Sequence, residues 1–236
     1  MRVNIAHSLL LPDVFEGREK LVVLAPHPDD ESLGCGALLA RAFTGAGAHV
    51  ICLTDGSASH PGSTEWTSQR MAARRRAEMI EAIECLGGSA RDLTWLGMTD
   101  SGLYQADTNA VAVDLEQIIA DFGARHIFAP AAEDHHEDHQ ATARFASELR
   151  TRRPDWSFYS YPLWCRWDDP DFRQTTARHA PIYLSSGDLR ERKRTAINAH
   201  QTQLGQIITD DATGFALSAG FVEKFVTEDE IFWRMP

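Results

Sequence analysis

The sequence has only four cysteines, and none of them belongs to a Cys-x-x-Cys pair. A thiolate zinc ribbon or a dense disulfide framework is therefore not expected, because both need closely spaced cysteines. The wide spacing favours small apolar side chains of the core, and the residues concerned are Cys35, Cys52, Cys85 and Cys165.

A long hydrophobic run is also missing. No window of about 18 residues is apolar and free of charge, so no membrane-spanning helix is expected. Near the N-terminus the apolar residues 9–11 are followed by Asp13 and Glu16, and this run is too short for the hydrophobic region of a signal peptide. Together these absences predict a cytoplasmic location.

The sequence also has no surplus of basic residues. Acidic residues outnumber lysine and arginine by 34 to 23, which gives a formal net charge of −11. That balance predicts no nucleic-acid partner and no affinity for anionic membranes, since both need a basic face. The chain is 43% hydrophobic, with six tryptophans and eleven phenylalanines, and this excludes an acidic disordered protein.

Short apolar segments alternate with longer amphipathic ones along most of the chain. The expected strands are residues 21–25, 50–54, 93–96, 127–129 and 158–161, and the expected helices are residues 33–43, 66–86, 110–122 and 136–149. This alternation predicts an α/β fold, namely a Rossmann-like, mostly parallel sheet with helices on both faces. At 236 residues we expect a single domain.

The alternation fades beyond the fifth expected strand. We therefore expect the core of the domain at about residues 18–162 and a C-terminal extension at 163–236 that shapes a pocket. Within this extension, residues 164–172 are expected to be loop-like. Residues 182–184 are expected to form a short strand, parallel or antiparallel, and residues 187–203 a helix.

One group of polar side chains follows the first expected strand directly. It contains His27, Asp29 and Asp30, at the strand end where open parallel sheets bind ligands. One of the two aspartates could simply cap the next helix. However, successive side chains of an extended loop point in opposite directions. One carboxylate could therefore bind a metal ion while its neighbour faces a water molecule, as metal-assisted hydrolysis requires.

A second group follows the fourth expected strand, at the same edge of the sheet. Three histidines fall within five residues, namely His135, His136 and His139. The last two share one face if this turn is helical, and imidazole is a common ligand of first-row metals. The alternative is a solvated helix N-terminus, which favours the neighbouring acids but does not explain three imidazoles.

Both groups match motifs of one family. Residues 26–31 read PHPDDE and residues 136–139 read HEDH. In this order and at this wide separation they resemble the (A/P)HPDDE and HxDH motifs of the PIG-L or LmbE-like family of zinc-dependent N-deacetylases. The resemblance implies a site for one Zn²⁺, or equally Fe²⁺, with His27, Asp30 and His139 as ligands.

The same resemblance implies a catalytic role for three further residues. Asp29 is expected to be the general base, and a protonated His136 is expected to stabilise the tetrahedral oxyanion. Asp138 is expected to orient His136. The implied substrate is a small-molecule amino sugar of the N-acetylglucosamine type, free or conjugated, and Asp29 is expected to pass its proton to the leaving amine.

Shorter matches extend the resemblance to the rest of the chain. Arg75 and Asp100 are expected to bind sugar hydroxyls, although Arg75 could instead lie on a solvated helix face within the run 74–76. Asp134 is a departure, because some relatives carry there an aromatic residue that gates the substrate. We leave His200 outside the site, since it could equally be a surface histidine.

Four other functions remain as alternatives. A nucleotide-binding module could use Gly34 and Gly36, but Leu39 stands where a third glycine is needed. A metallophosphoesterase usually needs two metal ions and more ligands. A single-metal amidase acting on a non-sugar N-acyl substrate and a degenerate protein that only binds sugar use the same residues.

The identity of the substrate conjugate is beyond these motifs. Specificity is expected in the least patterned loops, at residues 56–68, 98–108 and 163–180. Trp164 and Trp167 lie in the last of them and could stack on a sugar ring or pack in the core or a subunit contact. Whether the chain forms a homo-oligomer is left open.

Overall fold

Seven strands in one sheet carry the architecture of residues 11–235, the part of the chain that a computed structural model describes. The strands are β1 (Leu21–Ala25), β2 (Ala48–Thr54), β3 (Leu93–Met98), β4 (His126–Pro130), β5 (Ser157–Tyr161), β6 (Ile182–Leu184) and β7 (Glu230–Arg234). The helices are α1 (Asp30–Thr44), α2 (Ser68–Leu86), α3 (Thr108–Phe122), α4 (Glu137–Arg152), α5 (Trp164–Asp168), α6 (Phe172–Ala177), α7 (Arg190–Ala199) and α8 (Ala219–Thr227). Residues 1–10, on which the signal-peptide prediction largely rests, lie outside the described residues.

The strand order is β3-β2-β1-β4-β5-β7-β6. Neighbouring strands among β1–β5 pair in parallel, whereas β7 pairs antiparallel with both β5 and β6. The predicted α/β fold with a mostly parallel sheet is therefore confirmed. Because the chain leaves β1 for β2 on one side and returns as β4 on the other, the loops after β1 and β4 lie side by side at the carboxyl edge.

Several elements differ from the predicted bounds. The helix expected at 33–43 begins at Asp30, where acidic residues of the first turn favour a helix start. The stretch 164–172, expected to be loop-like, contains α5 and the beginning of α6. That prediction was wrong because α5 and α6 are less than two turns long, too short for a helical period to show in the sequence.

The sheet continues beyond the expected core. The short strand expected at 182–184 is β6, and it runs antiparallel to β7. The strand β7 itself was not predicted, since it follows a segment in which apolar and acidic residues are mixed. Residues after 163 therefore complete the sheet as well as contributing to the pocket described below.

Two glycines of α1 allow close packing against neighbouring side chains. A Cβ atom on Gly34 would lie 2.5 Å from Cδ2 of Tyr161, and one on Gly36 would lie 2.8 Å from Cγ of Lys193. Both glycines are buried inside the helix. Their lack of a side chain is thus explained by packing, and the nucleotide-binding alternative loses its glycine-rich loop.

The Lys193 side chain continues from this contact into a fully buried ion pair. Its Nζ atom lies 2.6 Å from Oε1 of Glu230 at the start of β7, and both side chains have no exposed surface. The Glu230 carboxylate also accepts hydrogen bonds from the backbone N–H groups of Ala37 and Leu38 in α1. One carboxylate therefore joins α1, α7 and β7.

Replacement of Lys193 by methionine should lower the free energy of unfolding by about 3–5 kcal/mol, because it leaves the Glu230 charge buried without a cation. The neighbouring Arg194 offers a matched control, since its pair with Glu223 is partly exposed. Arg194→Met should cost less than about 1 kcal/mol. Urea unfolding measures both variants, and equal costs would contradict the importance of the buried pair.

Two expectations from the sequence analysis concern the core position of the cysteines and the lack of a membrane-spanning helix. The four cysteines are unpaired, with Cys35, Cys52 and Cys165 buried and Cys85 half-buried, which confirms their interpretation as mainly core residues. Among the helices of residues 11–235, none has the length and apolar character needed to cross a bilayer. The cytoplasmic location stays a prediction.

Candidate metal-dependent active site

The loops after β1 and β4 bring three imidazoles together. The ring centroid of His27 lies 4.7 Å from that of His136 and 5.5 Å from that of His139. One nitrogen from each ring lies within 4.8 Å of the others. The two groups that the sequence places at one sheet edge thus form a single cluster.

The carboxylate of Asp30 lies between two of these rings. Its Oδ2 atom is 3.3 Å from Nδ1 of His27 and 3.4 Å from Nε2 of His139. The Nε2 atom of His139 is buried and makes no hydrogen bond. Two imidazole nitrogens and one carboxylate oxygen that converge in this way match the donor set that Zn²⁺ or Fe²⁺ prefers.

The outward nitrogens of both rings contact other carboxylates. Nδ1 of His139 lies 2.9 Å from Oδ2 of Asp134, and Nε2 of His27 lies 3.1 Å from Oδ2 of Asp138. A proton held on each outward nitrogen leaves the inward lone pair free for a cation, which is the usual arrangement behind metal-binding histidines. The residues present therefore fit a metal ion.

Asp134 is fully buried and does not reach the position of a substrate gate. Besides His139, its carboxylate accepts hydrogen bonds from the backbone N–H groups of Leu163 and Cys165. The departure from the aromatic residue of some relatives thus places here a carboxylate that orients the ring of His139. It also ties the first turn of α5 to the cluster.

Without a cation, the cluster favours protonated histidines. Burial lowers the pKa of His139, but the charge of Asp30 and the hydrogen bond with Asp134 outweigh it and raise that pKa to about 9. For His27, burial again opposes protonation, and the hydrogen bonds with Asp100, Asp138 and Asp30 outweigh it, so that its pKa is raised well above the usual value. Protons thus occupy the positions that a cation would take.

Asp29 has an unusual backbone conformation for a residue other than glycine. Its φ angle is 152°, in a region that costs conformational energy unless surrounding contacts enforce it. Its N–H donates to Oε2 of Glu31 at 3.0 Å, and its Oδ2 accepts from Arg75 at 3.1 Å. As a result the Asp29 carboxylate makes no capping bond to α1 and lines the cavity beside Asp30.

The pKa of the Asp29 carboxyl is suited to proton transfer near neutral pH. Burial raises it strongly, and the positive charge of Arg75 partly offsets this, so that the pKa is about 6. A general base works best when its pKa lies near the working pH. The position expected for the base therefore has the electrostatics of one.

Arg75 is buried, so the alternative of a solvated helix face is wrong, whereas its expected contact to sugar hydroxyls stays a prediction. Its guanidinium donates to the backbone carbonyls of Pro28 and Gly56 as well as to Asp29. Gly56 has a φ of 65°, and a Cβ atom there would come within 2.7 Å of Arg75 Nη1. The arginine thus forms part of the cavity wall and positions the Asp29 carboxylate.

The sequence patterns missed a buried pair behind Asp29. Nε2 of His200 lies 3.0 Å from Oε1 of Glu31, whose other oxygen accepts from the Asp29 N–H. His200 is 1% exposed, so the alternative of a surface histidine is wrong. The signal for Glu31 was its place in the PHPDDE motif, whereas an isolated histidine 169 residues later carried no signal.

His136 is held as a hydrogen-bond donor toward the cavity. Its Nδ1 accepts the backbone N–H of Asp138 at 3.2 Å, which leaves the ring proton on Nε2. Burial lowers the pKa of His136, as do the positive charges of His27 and His139, to about 4. Burial thus opposes the protonated form expected from the sequence.

Asp138 and Asp100 both contact His27 on the side away from Asp30. The Asp138 carboxylate accepts from the backbone N–H groups of Ser101 and Leu103 as well as lying against His27. The structure thus places it behind His27, and only its backbone N–H contacts His136. Asp100 has one oxygen 3.4 Å from His27 Nε2 and lines the cavity.

A cavity of about 190 Å³ opens beside the cluster. The polar residues of its lining are His27, Asp29, Asp30, Ser59, Arg75, Asp100, Ser101, His136 and Gln203. The apolar residues of its lining include Leu33, Leu163, Trp164, Phe215, Leu217 and Phe221. The cavity therefore joins the polar cluster to a surface suited to carbon-rich groups.

Comparison with known proteins gives a consistent family. Residues 22–149, more than half of the chain, match a family model described as PIG-L: GlcNAc-PI de-N-acetylase. A curated relative is the probable N-acetyl-alpha-D-glucosaminyl L-malate deacetylase 2 of Bacillus cereus. It is 26% identical over 195 residues, which cover 80% of this chain and 86% of the relative.

Solved structures share the fold at lower identity. The N,N'-diacetylchitobiose deacetylase from Pyrococcus horikoshii superposes with a TM-score of 0.68 at 22% identity, covering 96% of this chain and 87% of that one. The 4-carboxy-2-hydroxymuconate hydratase from Pseudomonas putida KT2440 superposes with a TM-score of 0.64 at 19% identity, covering 88% and 82% of the two chains. The fold is thus shared by enzymes with different reactions, and the reaction has to be argued from the site.

Proposed function

Because the chain belongs to the PIG-L (GlcNAc-PI de-N-acetylase) family, we propose that it is a metal-dependent hydrolase that removes an N-acetyl group from an amino sugar of the N-acetylglucosamine type. The observation that carries this proposal is the convergence of His27, Asp30 and His139 beside Asp29. It combines a metal donor set with a carboxylate base in one cavity.

We propose His27, Asp30 and His139 as the residues that hold one Zn²⁺, with Fe²⁺ as the alternative ion. The buried, unpartnered Nε2 of His139 supports this assignment. When bound, such an ion supplies a Lewis acid that polarises an amide carbonyl and makes a nearby water more acidic. Asp134 and Asp138 hold the two rings in the orientation that this requires.

Asp29, which lines the cavity, removes a proton from the attacking water in its carboxylate form. His136 donates its Nε2 hydrogen to the oxyanion that develops on the amide oxygen. The proton on Asp29 then passes to the leaving nitrogen, and the products are acetate and a free amine. In this scheme His136 acts as a neutral donor throughout the approach of the substrate.

Asp100 remains a proposed contact to sugar hydroxyls, because its carboxylate borders the cavity and accepts hydrogen bonds well. For Arg75 the contacts favour another role. Three of its hydrogen bonds go to Asp29, Pro28 and Gly56, so we propose that it positions the base.

The direct test is a deacetylation screen with metal-loaded protein against conjugates of N-acetylglucosamine, in which the free amine is measured. Release of one amine per acetate supports the proposal. A metal content near one ion per chain is expected as well. Failure of every conjugate, with folded and metal-loaded protein, would contradict it.

Replacement of Arg75 by glutamine should move the acidic limb of the kcat/KM profile to higher pH. The arginine charge lowers the pKa of Asp29, so its loss raises that pKa above its present value of about 6. Because the carboxylate is the active form, activity is lost as the pH falls through this pKa, and the deficit is largest at low pH.

The exposed Arg76 of the same helix gives the matched control. Arg76→Gln should leave the limb where it is in the wild-type protein. An Arg75→Gln variant with an unshifted limb and a uniform loss at all pH values would favour substrate binding by Arg75 instead.

The apolar half of the cavity favours one alternative, an amidase that acts on a non-sugar N-acyl substrate with the same residues. Simple N-acyl amines in the same screen distinguish it from the amino-sugar reaction. A metallophosphoesterase is less compatible, since Asp29 and Asp100 line the cavity and oppose a phosphate dianion.

A further inference from the structure

An aromatic and aliphatic surface faces the same cavity as the polar cluster. Trp164 forms its centre, with its ring centroid 5.9 Å from that of Phe215 and 5.3 Å from that of Phe221. Leu33 and Leu163 adjoin it. An N-acetyl group has only one methyl carbon, so this surface exceeds what the acetyl group of the proposed reaction needs.

The loop that carries Phe215 is attached to two neighbouring residues of the cavity lining, Ser59 and Gln203, whose side chains are 3.4 Å apart. The N–H of Phe215 donates to the carbonyl of Ser59 at 2.8 Å, and the N–H of Leu217 donates to the carbonyl of Gln203 at 2.7 Å. Phe215 is only partly buried. The surface is thus held in place while one of its rings remains accessible from the cavity.

Gln203 provides an independent sign of a ligand at this place. Its side chain has no exposed surface and lines the cavity, and its Oε1 atom has no hydrogen-bond partner. The other end of the amide donates to Thr202 Oγ1 at 3.1 Å. A buried amide oxygen without a partner is costly, and an O–H or N–H donor of a ligand would satisfy it.

We propose that the apolar part of the cavity lining is a subsite for an apolar alkyl or aryl substituent of the substrate, next to a hydroxyl or amide that donates to Gln203. The inference rests on the proposed deacetylation and names its substrate class: an amino sugar with a hydrophobic group rather than a free sugar. Trp164 and Phe215 are its specificity-determining residues. The group can be attached either as the aglycone or as a longer N-acyl chain.

Two substrate series separate these attachments. The first consists of methyl, butyl and hexyl β-glycosides of N-acetylglucosamine, and the second of glucosamine with acetyl, butanoyl and hexanoyl groups on nitrogen. In one series kcat/KM should rise by about threefold per buried methylene. The series that responds identifies the attachment, and a flat response in both would overturn the subsite.

Two variants test the residues. Phe215→Ala should reduce the hexyl-over-methyl preference by about tenfold. Gln203→Leu should lower kcat/KM for all members and leave the preference intact. Tyr183→Ala, at an exposed aromatic of β6 outside the cavity, is the matched control and should change neither quantity.

A binding measurement keeps this inference separate from the reaction. Calorimetry with hexyl and methyl β-D-glucoside, which have no amide to cleave, should show tighter binding of the hexyl compound. Phe215→Ala should remove that difference. If no conjugate is deacetylated but hexyl glucoside still binds preferentially, the proposed reaction fails and the subsite stands; equal binding of the two glucosides would overturn the subsite.

Discussion

Replacement of Asp29 by asparagine is expected to lower kcat by about 10²–10⁴-fold, the usual contribution of a general base. The amide keeps the shape of the side chain and the hydrogen bond from Arg75 but cannot take a proton from water. The proposed ligand atoms of His27, Asp30 and His139 are unchanged, so metal content should stay near that of the wild-type protein. Steady-state kinetics and elemental analysis of the same preparation measure both quantities.

The exposed Asp188 provides a control, since Asp188→Asn removes an equal charge far from the cavity wall. It should keep wild-type kcat. Circular dichroism excludes unfolding as the cause of a loss. An Asp29→Asn variant with near-native kcat would show that another group accepts the proton, and the neighbouring cavity-lining Asp100 would be the next candidate.

Replacement of His139 by alanine is expected to remove the metal ion itself. The imidazole provides a buried nitrogen that faces Asp30 and makes no hydrogen bond. Metal affinity should fall by more than about 100-fold, because loss of a carboxylate behind a ligand already costs about 10–100-fold. Activity should fall with it, and excess metal should restore little of it.

Asp134→Asn is expected to lower metal affinity less than His139→Ala does. The amide still contacts the ring of His139 but no longer carries the charge that orients and polarises it, so affinity should fall by about 10–100-fold. His126→Ala, at the opposite end of β4, should have no effect. Competition with a chelator measures all three variants, and unchanged affinity in His139→Ala would reject the proposed ligand set.

The position of the candidate site at the carboxyl edge of the sheet could be predicted from local sequence patterns. The apolar run of β1 and the alternation of strands and helices predict a parallel sheet. Polar residues directly after β1 and β4 then have to meet, because the carboxyl ends of parallel strands share one edge. Spacing of three residues likewise places His136 and His139 on neighbouring positions of one turn.

The contacts between distant segments were beyond such patterns. The pairing of Glu31 with His200 joins residues 169 positions apart, and no periodicity encodes which buried histidine meets which carboxylate. The position of Arg75 was ambiguous for a related reason. Its neighbour Arg76 is exposed, and only the packing of α2 decides which arginine of the run turns inward.

Side-chain protonation also depends on the assembled cluster. The expectation of a charged His136 came from a motif, whereas the charges of His27 and His139 close to it oppose that form. The orientation of Asp138 toward His27 is likewise set by the backbone N–H groups of Ser101 and Leu103. These donors come from a loop that carries no motif.

The insertion of β7 between β5 and β6 has a consequence for folding during synthesis. β5 emerges first and β6 second, yet among the described residues β6 pairs only with β7. Until residues 230–234 have been synthesised, β6 has no strand to pair with, and Lys193 lacks the Glu230 carboxylate as its ion-pair partner. Because long-range strand pairing of this kind is slow, the nascent chain is expected to pass through a stage with an open sheet edge beside β5, where chaperones and proteases would have access.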